Sequence, residues 1–351
     1  MAAPVSSLIK LFAAMLTASW LIAQTGCVAS HRPSLDSASS FTNRFEFTQP
    51  QMGLPFRIVL YAPDAATAEA AAEAAFDRIR QLNDLLSDYE TDSELSRLSR
   101  TAGQDLAVAV SDDLWFVLAT AQKLSARTAG AFDVTVGPYV SLWRKARREK
   151  KLPRPDLLAE ARAAVGWEKV ELDPGARTAK LLVPGMRLDL GAIAKGYAVD
   201  AALKALRQRG IARALVAGGG DMVAGDPPPG TRGWQIEVAP LDVTNAPPSR
   251  FVLLARAGLA TSGDVFQHLD LDGRRYSHII DPKTGLGLTD HSLVTVIAPD
   301  CMTADSLATA VSVLGPKRGL RLIEETRGAR VRIVCRPENQ VEVHVSRGFG
   351  S

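Results

Sequence analysis

The sequence predicts a mixed α/β fold of the α+β kind. Strand-like runs of alternating or continuous apolar residues recur from Phe45 to Val345. Between them lie runs with helical apolar spacing, bounded by capping residues and glycine stops. No internal repeat orders the two kinds of element. At 351 residues, 46% of them hydrophobic, the chain can bury a sizeable core in one large or two modest domains. A net charge of +3, with no basic stripe carrying interleaved aromatics, argues against a nucleic-acid partner.

The first residues read as an export signal rather than as fold. Lys10 precedes the apolar run Leu11 to Ala23, which meets Gln24-Thr25-Gly26-Cys27. The run is too short to span a bilayer comfortably. Residues 1–26 are therefore assigned to a signal peptide, and Cys27 is a candidate for lipidation. Gln24 stands where an aliphatic residue is usual, so plain secretion is the alternative. A lipid would anchor the chain to a membrane surface without spanning it. The expected location is the periplasm, on the outer side of the inner membrane. Residues 27–44 are Ser-rich with Pro33 and read as a tether. Cys301 and Cys335 remain; export permits a disulfide, and two buried free thiols are the preferred reading.

From Phe45 the character changes. Phe45-Glu46-Phe47 and Phe56 to Tyr61 read as strands joined around Met52-Gly53. Pro63 to Leu86 is Ala-rich and helical, and Ser87 to Leu95 is a polar turn that becomes briefly helical. Ser111-Asp112-Asp113 caps a helix to Arg127, with Gly130 as its stop. Gly130 to Pro138, with an isolated Asp133 among apolar residues, suggests a tight loop near a ligand, or an Asp satisfied by backbone amides. The basic run Arg144 to Lys151 reads as a solvated loop or frayed helix end. Asp156 to Val165 is helical, and Lys169 to Leu172 with Ala179 to Val183 forms a hairpin.

Leu188-Asp189-Leu190 closes a strand, and helical spacing begins at Ala192 and runs through Ile193, Val199, Leu203 and Leu206 to a stop at Gly210. Lys195 puts a cation in the first turn, where the unpaired amides and the dipole already make the helix end positive. Such a terminus suits an anion. Asp189 beside it could hold a polar group or the water shell of a metal. The bland alternative is a solvated Lys195 and an Asp189 that only caps the helix.

Further on, Ala214 to Asp221 is a strand running into glycines, and Trp234 to Val238 and Phe251 to Ala255 are strands. Ala260 to Asp264 reads as a small polar loop. His278, within Tyr276 to Gly285, is on its own more often structural than catalytic. Leu293 to Ala298 is a strand. Thr303 is expected to cap the next helix, in which Asp305 and Thr309 project from one face. That pair of hard oxygens suits a divalent cation, although Asp305 could simply complement the dipole. Lys317 to Glu325 is helical, and Val331 to Cys335 and Val341 to Val345 are strands.

Taken together and in order, these segments resemble the ApbE family, the bacterial FAD:protein FMN transferases. The carrying residues are Met52-Gly53, Asp88-Tyr89 with Asp92 to Leu95, Gly130 to Pro138, Asp189 to Tyr197, Gly219-Gly220-Asp221, Thr261-Ser262-Gly263, Ser277 to Gly285, and Thr303-Ala304-Asp305 through Thr309. They span about residues 45–348, which are assigned to one flavin transferase domain. Leu54 departs from the Thr that often follows Met-Gly.

The resemblance implies two interleaved lobes with FAD, the substrate, in the cleft between them. It implies that Met52, Tyr89, Ala131, Phe132, Asp133, Asp189, Lys195, His278 and Ile279 line the flavin nucleotide. It implies Mg²⁺, with Mn²⁺ as the alternative, held by side-chain oxygens of Asp305 and Thr309 and the carbonyl of Ala192, with Ala308 beside the site. The implied reaction is transfer of FMN from FAD to a threonine hydroxyl of a target flavoprotein, releasing AMP. Asp305 and His278 are the candidate catalytic residues, His278 as the group handling the hydroxyl's proton. The rival readings are a Mg²⁺-dependent FAD pyrophosphatase and a flavin-binding lipoprotein without turnover.

Overall fold

The structure is a computed structural model, described for residues 42–241, 250–264, 267–337 and 340–350. The export signal, Cys27 and the tether up to residue 41 lie outside the described residues. In chain order, a hairpin β1 (Asn43–Gln51) and β2 (Leu54–Ala62) leads into α1 (Ala65–Leu86), α2 (Glu94–Ser99), β3 (Val108–Ala109), α3 (Asp112–Arg127), α4 (Gly137–Glu149) and α5 (Pro155–Ala163). A second hairpin, β4 (Val170–Asp173) and β5 (Thr178–Leu181), precedes α6 (Ala194–Gln208). Then come β6 (Ala214–Gly218), β7 (Asp221–Ala224), β8 (Trp234–Val238), β9 (Arg250–Leu254), β10 (Ala257–Gly263), β11 (His268–Leu271), β12 (Arg274–Ser277) and β13 (Ser292–Ala298). The chain closes with α7 (Cys301–Glu324), β14 (Arg330–Cys335) and β15 (Glu342–Val345). No helix among the described residues is long and apolar enough to cross a membrane.

The centre is an eight-stranded sheet in the order β1-β2-β6-β7-β10-β13-β14-β15, with every neighbouring pair antiparallel. Both faces are covered, so its inner strands carry apolar side chains on both sides. Ile58, Leu60, Ala260, Val296 and Ala298 point to a large core shared with α1, α6 and α7. Val59, Leu259 and Ile297, one residue out of phase, point to a smaller core under the β8–β9 hairpin with Trp234, Ile236 and Val252. The β1–β2 turn has two residues, Met52 and Gly53, with φ of 50° and 73°. Positive φ at both positions is the hairpin geometry that matches strand twist.

Several expectations change. Asn43 and Arg44, expected at the end of the tether, pair in β1 instead. Residues 144–149 of the basic run are not a loop: they are the carboxyl half of α4, whose Tyr139, Trp143 and Ala146 are buried, and Lys150 ends the helix in the left-handed conformation. Only Gly137 and Pro138 at its start fall in the segment expected as a tight loop. Ala260 to Gly263 is not a loop but β10, paired to β13 through Gly263 opposite Leu293. Small residues fit there because the strand is crowded by α7. The cap of α7 is Asp300, whose side chain accepts from the Thr303 amide at 2.7 Å, and not Thr303. Within α7 the helical path breaks at Gly315, φ 72°, just before Pro316. Helix α6 starts at Ala194, with Ala192 and Ile193 in the preceding turn. Cys301 and Cys335 are both buried and free.

Helices α6 and α7 meet with almost no space between their first turns. A Cβ on Gly196 would lie 2.5 Å from the Cys301 carbonyl oxygen and 2.7 Å from Met302 Cα. Both obstacles are backbone, so a side chain cannot be accommodated by rotation. Gly196→Ala should therefore force the two helices apart and cost about 1–3 kcal/mol of unfolding free energy, as overpacking does. Urea denaturation of the two proteins checks this; an unchanged midpoint would show that the approach is looser than described.

Candidate functional site

The α6–α7 contact fixes what the first turns of the two helices present. Lys195 Nζ donates to Asp221 Oδ2 at 2.6 Å and reaches Asp305 Oδ2 at 3.4 Å. Asp305 Oδ2 also accepts from the Gly196 amide at 3.1 Å. Asp221 enters from the turn between β6 and β7, where the Gly-Gly-Asp run of the sequence brings its backbone close. Asp221 and Asp305 are each only 2% exposed. Lys195 is thus not solvated: it is held between two buried carboxylates.

The electrostatic consequences follow. Burial alone would lower the Lys195 pKa, but the charges of Asp221 and Asp305 overcome it and hold the ammonium above the ordinary lysine value. Burial, then repulsion from Asp305, raises Asp221 to about 7 in spite of Lys195. Two carboxylates face one ammonium, so when all are ionised the cluster carries one uncompensated negative charge. Buried surplus charge of this kind calls for a cation.

Thr309, one turn after Asp305 in α7, has its Oγ1 3.3 Å from Ser262 Oγ on β10. The donors gathered here are carboxylate and hydroxyl oxygens, which suit a hard divalent cation. Ala192, half-buried in the turn before α6, and Ala308, buried on α7, flank the same helix starts. The residues present fit Mg²⁺ by donor chemistry and by charge.

A brace holds this geometry from behind. Asp200, on α6, accepts from the amides of Cys301 and Met302 at 2.9 and 2.8 Å and so satisfies two unpaired donors at the start of α7. Burial, with further repulsion from Asp300 and Asp305, lifts Asp200 to about 7. Nothing local in the sequence singles it out, because its partners lie about a hundred residues away.

A second cluster surrounds Asp189. Asp189 Oδ1 accepts from the Gly191 amide at 2.8 Å, which tightens the turn before α6 rather than capping the helix. Its backbone amide donates to the Val134 carbonyl at 2.8 Å, joining it to the 130–138 segment. Arg144 lies between Asp88, at 2.7 Å, and Asp189, at 3.4 Å. Burial, then repulsion from Asp88, raises Asp189 to about 6. The Arg144 guanidinium sits 3.9 Å from the centre of the Tyr89 ring, which is 74% exposed. Arg144, expected in a solvated loop or frayed helix end, has partners 45 or more residues away in the chain, Asp88 and Asp189.

The remaining predicted residues are distributed around these clusters. Ala131, Phe132 and Asp133 are buried, and Asp133 Oδ1 is taken by the Thr135 amide and hydroxyl at 2.8 and 2.7 Å. That is the locally satisfied alternative raised for this residue. Met52 lies at the tip of the β1–β2 turn, at the same sheet end as the β6–β7 turn, since Phe56 pairs with Gly218. Ile279 is buried, while the His278 ring Nδ1 lies 3.1 Å from the Gln267 carbonyl. Burial lowers the His278 pKa, partly opposed by that carbonyl and reinforced by the positive charges of Arg147 and Lys195. The ring is therefore neutral near pH 7. A proton on Nδ1, shared with Gln267, leaves the Nε2 lone pair available.

The fold and site define an α+β protein whose sheet end carries an acid–lysine–acid cluster between two helix starts, beside an exposed tyrosine. The chain belongs to the ApbE family, whose family model matches residues 52–333. It is 34% identical over 325 residues to a Haemophilus influenzae protein named FAD:protein FMN transferase, covering 90% of this chain and 93% of that one. A protein of the same name from Vibrio cholerae is 34% identical over 280 residues, covering 78% and 83% of the two chains. The solved structure of flavin transferase ApbE from Vibrio cholerae superposes with a TM-score of 0.79 at 31% identity, covering 88% of this chain and 98% of that one.

The Asp200 brace has a stability signature. Its folded pKa of about 7 lies above the unfolded value of 3.8, so between those values the folded state binds more protons. Stability falls as pH rises through that window, and the penalty is complete above about pH 7. In Asp200→Asn, without added divalent cation, the loss between pH 4 and pH 7 should shrink by about 2 kcal/mol, partial exposure having been allowed for. Urea midpoints at the two pH values measure it; identical slopes would mean that Asp200 ionises freely.

Proposed function

We propose that this protein transfers FMN from FAD to a threonine hydroxyl of a target protein and releases AMP. The observation that carries the reading is the buried pair Asp221 and Asp305 around the single Lys195. A divalent cation converts the cluster from a net charge of about −1 to about +1, which suits a diphosphate. The activity named for the relatives supports the same reading.

In this reading Asp305 and Thr309 hold Mg²⁺ by their side-chain oxygens, with the Ala192 carbonyl as a further ligand and Ala308 packed beside them; Mn²⁺ has the same oxygen preference. The bound cation supplies charge neutralisation on the pyrophosphate oxygens. Lys195 holds the diphosphate with an ammonium whose charge its two aspartates guarantee. Tyr89 offers an exposed ring, with Arg144 fixed beneath it, on which a planar isoalloxazine can stack. Met52, Ala131, Phe132, Asp133, Asp189 and Ile279 complete the nucleotide's surroundings.

The threonine oxygen attacks the FMN-side phosphorus, and the bond from that phosphorus to the bridging oxygen breaks. AMP leaves with the bridging oxygen and its electron pair. The hydroxyl proton passes to His278 Nε2, which is neutral at pH 7 for the reasons given. The protein thus supplies placement, charge and one proton acceptor, and needs no covalent intermediate of its own. Location follows the apolar run and Cys27: export to the periplasm and a lipid anchor on the membrane surface, with signal, tether and transferase domain at 1–26, 27–42 and 43–348.

Incubation with FAD, Mg²⁺ and a flavin-acceptor domain, followed by mass spectrometry, tests the reading. The acceptor should gain one FMN. Asp305→Ala should reduce transfer by at least about a hundredfold, and His278→Asn by about 10²–10⁴-fold. Rapid free FMN in the absence of acceptor would mark a hydrolase instead, and FAD binding with no product would mark a carrier.

A further inference from the structure

Three potential metal ligands meet at the far edge of the sheet, away from the cluster just described. The sulfur of Cys335, a carboxylate oxygen of Glu342 and a ring nitrogen of His344 lie within 4.8 Å of one another. The arrangement follows from strand register. Cys335 pairs with Glu342 and Ile333 with His344 across β14 and β15, so all three ligands leave the same face. Row by row, Ser262 is opposite Val294, Val294 opposite Ile333, and Ile333 opposite His344. Three strand spacings, about 14 Å, therefore separate His344 from Ser262. Cys335, Glu342 and His344 also lie beyond the residues 52–333 that carry the family match.

We propose that Cys335, Glu342 and His344 form a second metal site for a borderline-soft divalent transition metal of the zinc class, locking edge strand β15 onto the sheet. Sulfur, imidazole and carboxylate together suit zinc and are a poor set for Mg²⁺. Around one tetrahedral zinc, neighbouring ligand atoms stand about 3.5 Å apart, so the Cys335 sulfur, within 4.8 Å of the other two, has to close by no more than about 1 Å. His344 and Glu342 already face each other at 3.0 Å and are 33% and 51% exposed, which leaves an entry route and room for a water as fourth ligand. Cys335 forms the buried floor. Burial, then the carboxylates of Glu342 and Asp290, raises the thiol's pKa, so in the metal-free protein it stays protonated. Binding breaks the S–H bond, forms the metal–thiolate bond and releases one proton to solvent, with no change of oxidation state. The gain is local: among the described residues β15 has only β14 as a neighbour in the sheet, and it exposes Val343 and Val345. An edge strand with such a face invites pairing with another chain, and a metal clamp holds it in register.

The test is a Co²⁺ titration of the full chain under reducing conditions with excess Mg²⁺. One equivalent of Co²⁺ should produce a near-ultraviolet thiolate-to-cobalt band that Zn²⁺ then bleaches. Cys335→Ser should abolish the band. His344→Ala, at a half-exposed position that does not threaten folding, should weaken Co²⁺ binding at least about tenfold. Zn²⁺ should raise the urea midpoint of the wild type and not that of His344→Ala. Asp305→Ala should keep the band, which separates this site from the proposed transferase centre. No thiolate band in the wild type, or the same band in Cys335→Ser, would reduce the three residues to an ion pair beside a buried thiol and overturn the proposal.

Discussion

The contact between the first turns of α6 and α7 is the constraint on which the rest of the structure depends. Gly196 lies against the Cys301 and Met302 backbone, and Asp200 on α6 takes two amides of α7. With the helices locked in this way, Lys195 and Asp305 have nowhere to go but toward each other. The sheet beneath delivers Asp221 to the same point through the β6–β7 turn and Ser262 through the end of β10. Four pieces of chain, far apart in sequence, thereby place their polar atoms around one spot.

The chemistry of that spot is set by an imbalance. Two carboxylates that are each 2% exposed surround one lysine, and the protein tolerates this by raising Asp221 to about 7. A folded chain alone gains nothing from such a cluster, since removing like charges from water is costly. The arrangement makes sense when a divalent cation and an anionic substrate arrive together. The same reasoning separates Arg144, whose partners Asp88 and Asp189 outnumber it, from a merely structural cation. It fixes the underside of an exposed tyrosine and leaves the other side of the ring open.

Local pattern revealed part of this. Helical spacing together with charge in a first turn singled out Lys195, and four-residue spacing singled out Asp305 and Thr309. These signals survive because caps, dipoles and side-chain faces are properties of a few consecutive residues. Asp200 and Asp221 were visible as residues but not as partners, because their roles depend on contacts over long sequence separations. Helix α4 is hard to see in the sequence because Gly137 and Pro138 at its start close a loop-like segment and its other end is a basic run. Strand β10 was read as a loop because small residues, required beneath α7, mimic turn composition. In each case tertiary packing outweighed the local signal.

The central claim is that Lys195, charged by its two aspartates, is the anchor for a diphosphate. Flavin fluorescence titration of Lys195→Met with FAD and with riboflavin, both in the presence of Mg²⁺, tests it most directly. The account predicts that FAD affinity falls by about 10–100-fold, the loss of one charge-assisted hydrogen bond, while riboflavin binding is unchanged. Equal FAD affinity in the two proteins, or an equal loss for both ligands, would contradict it.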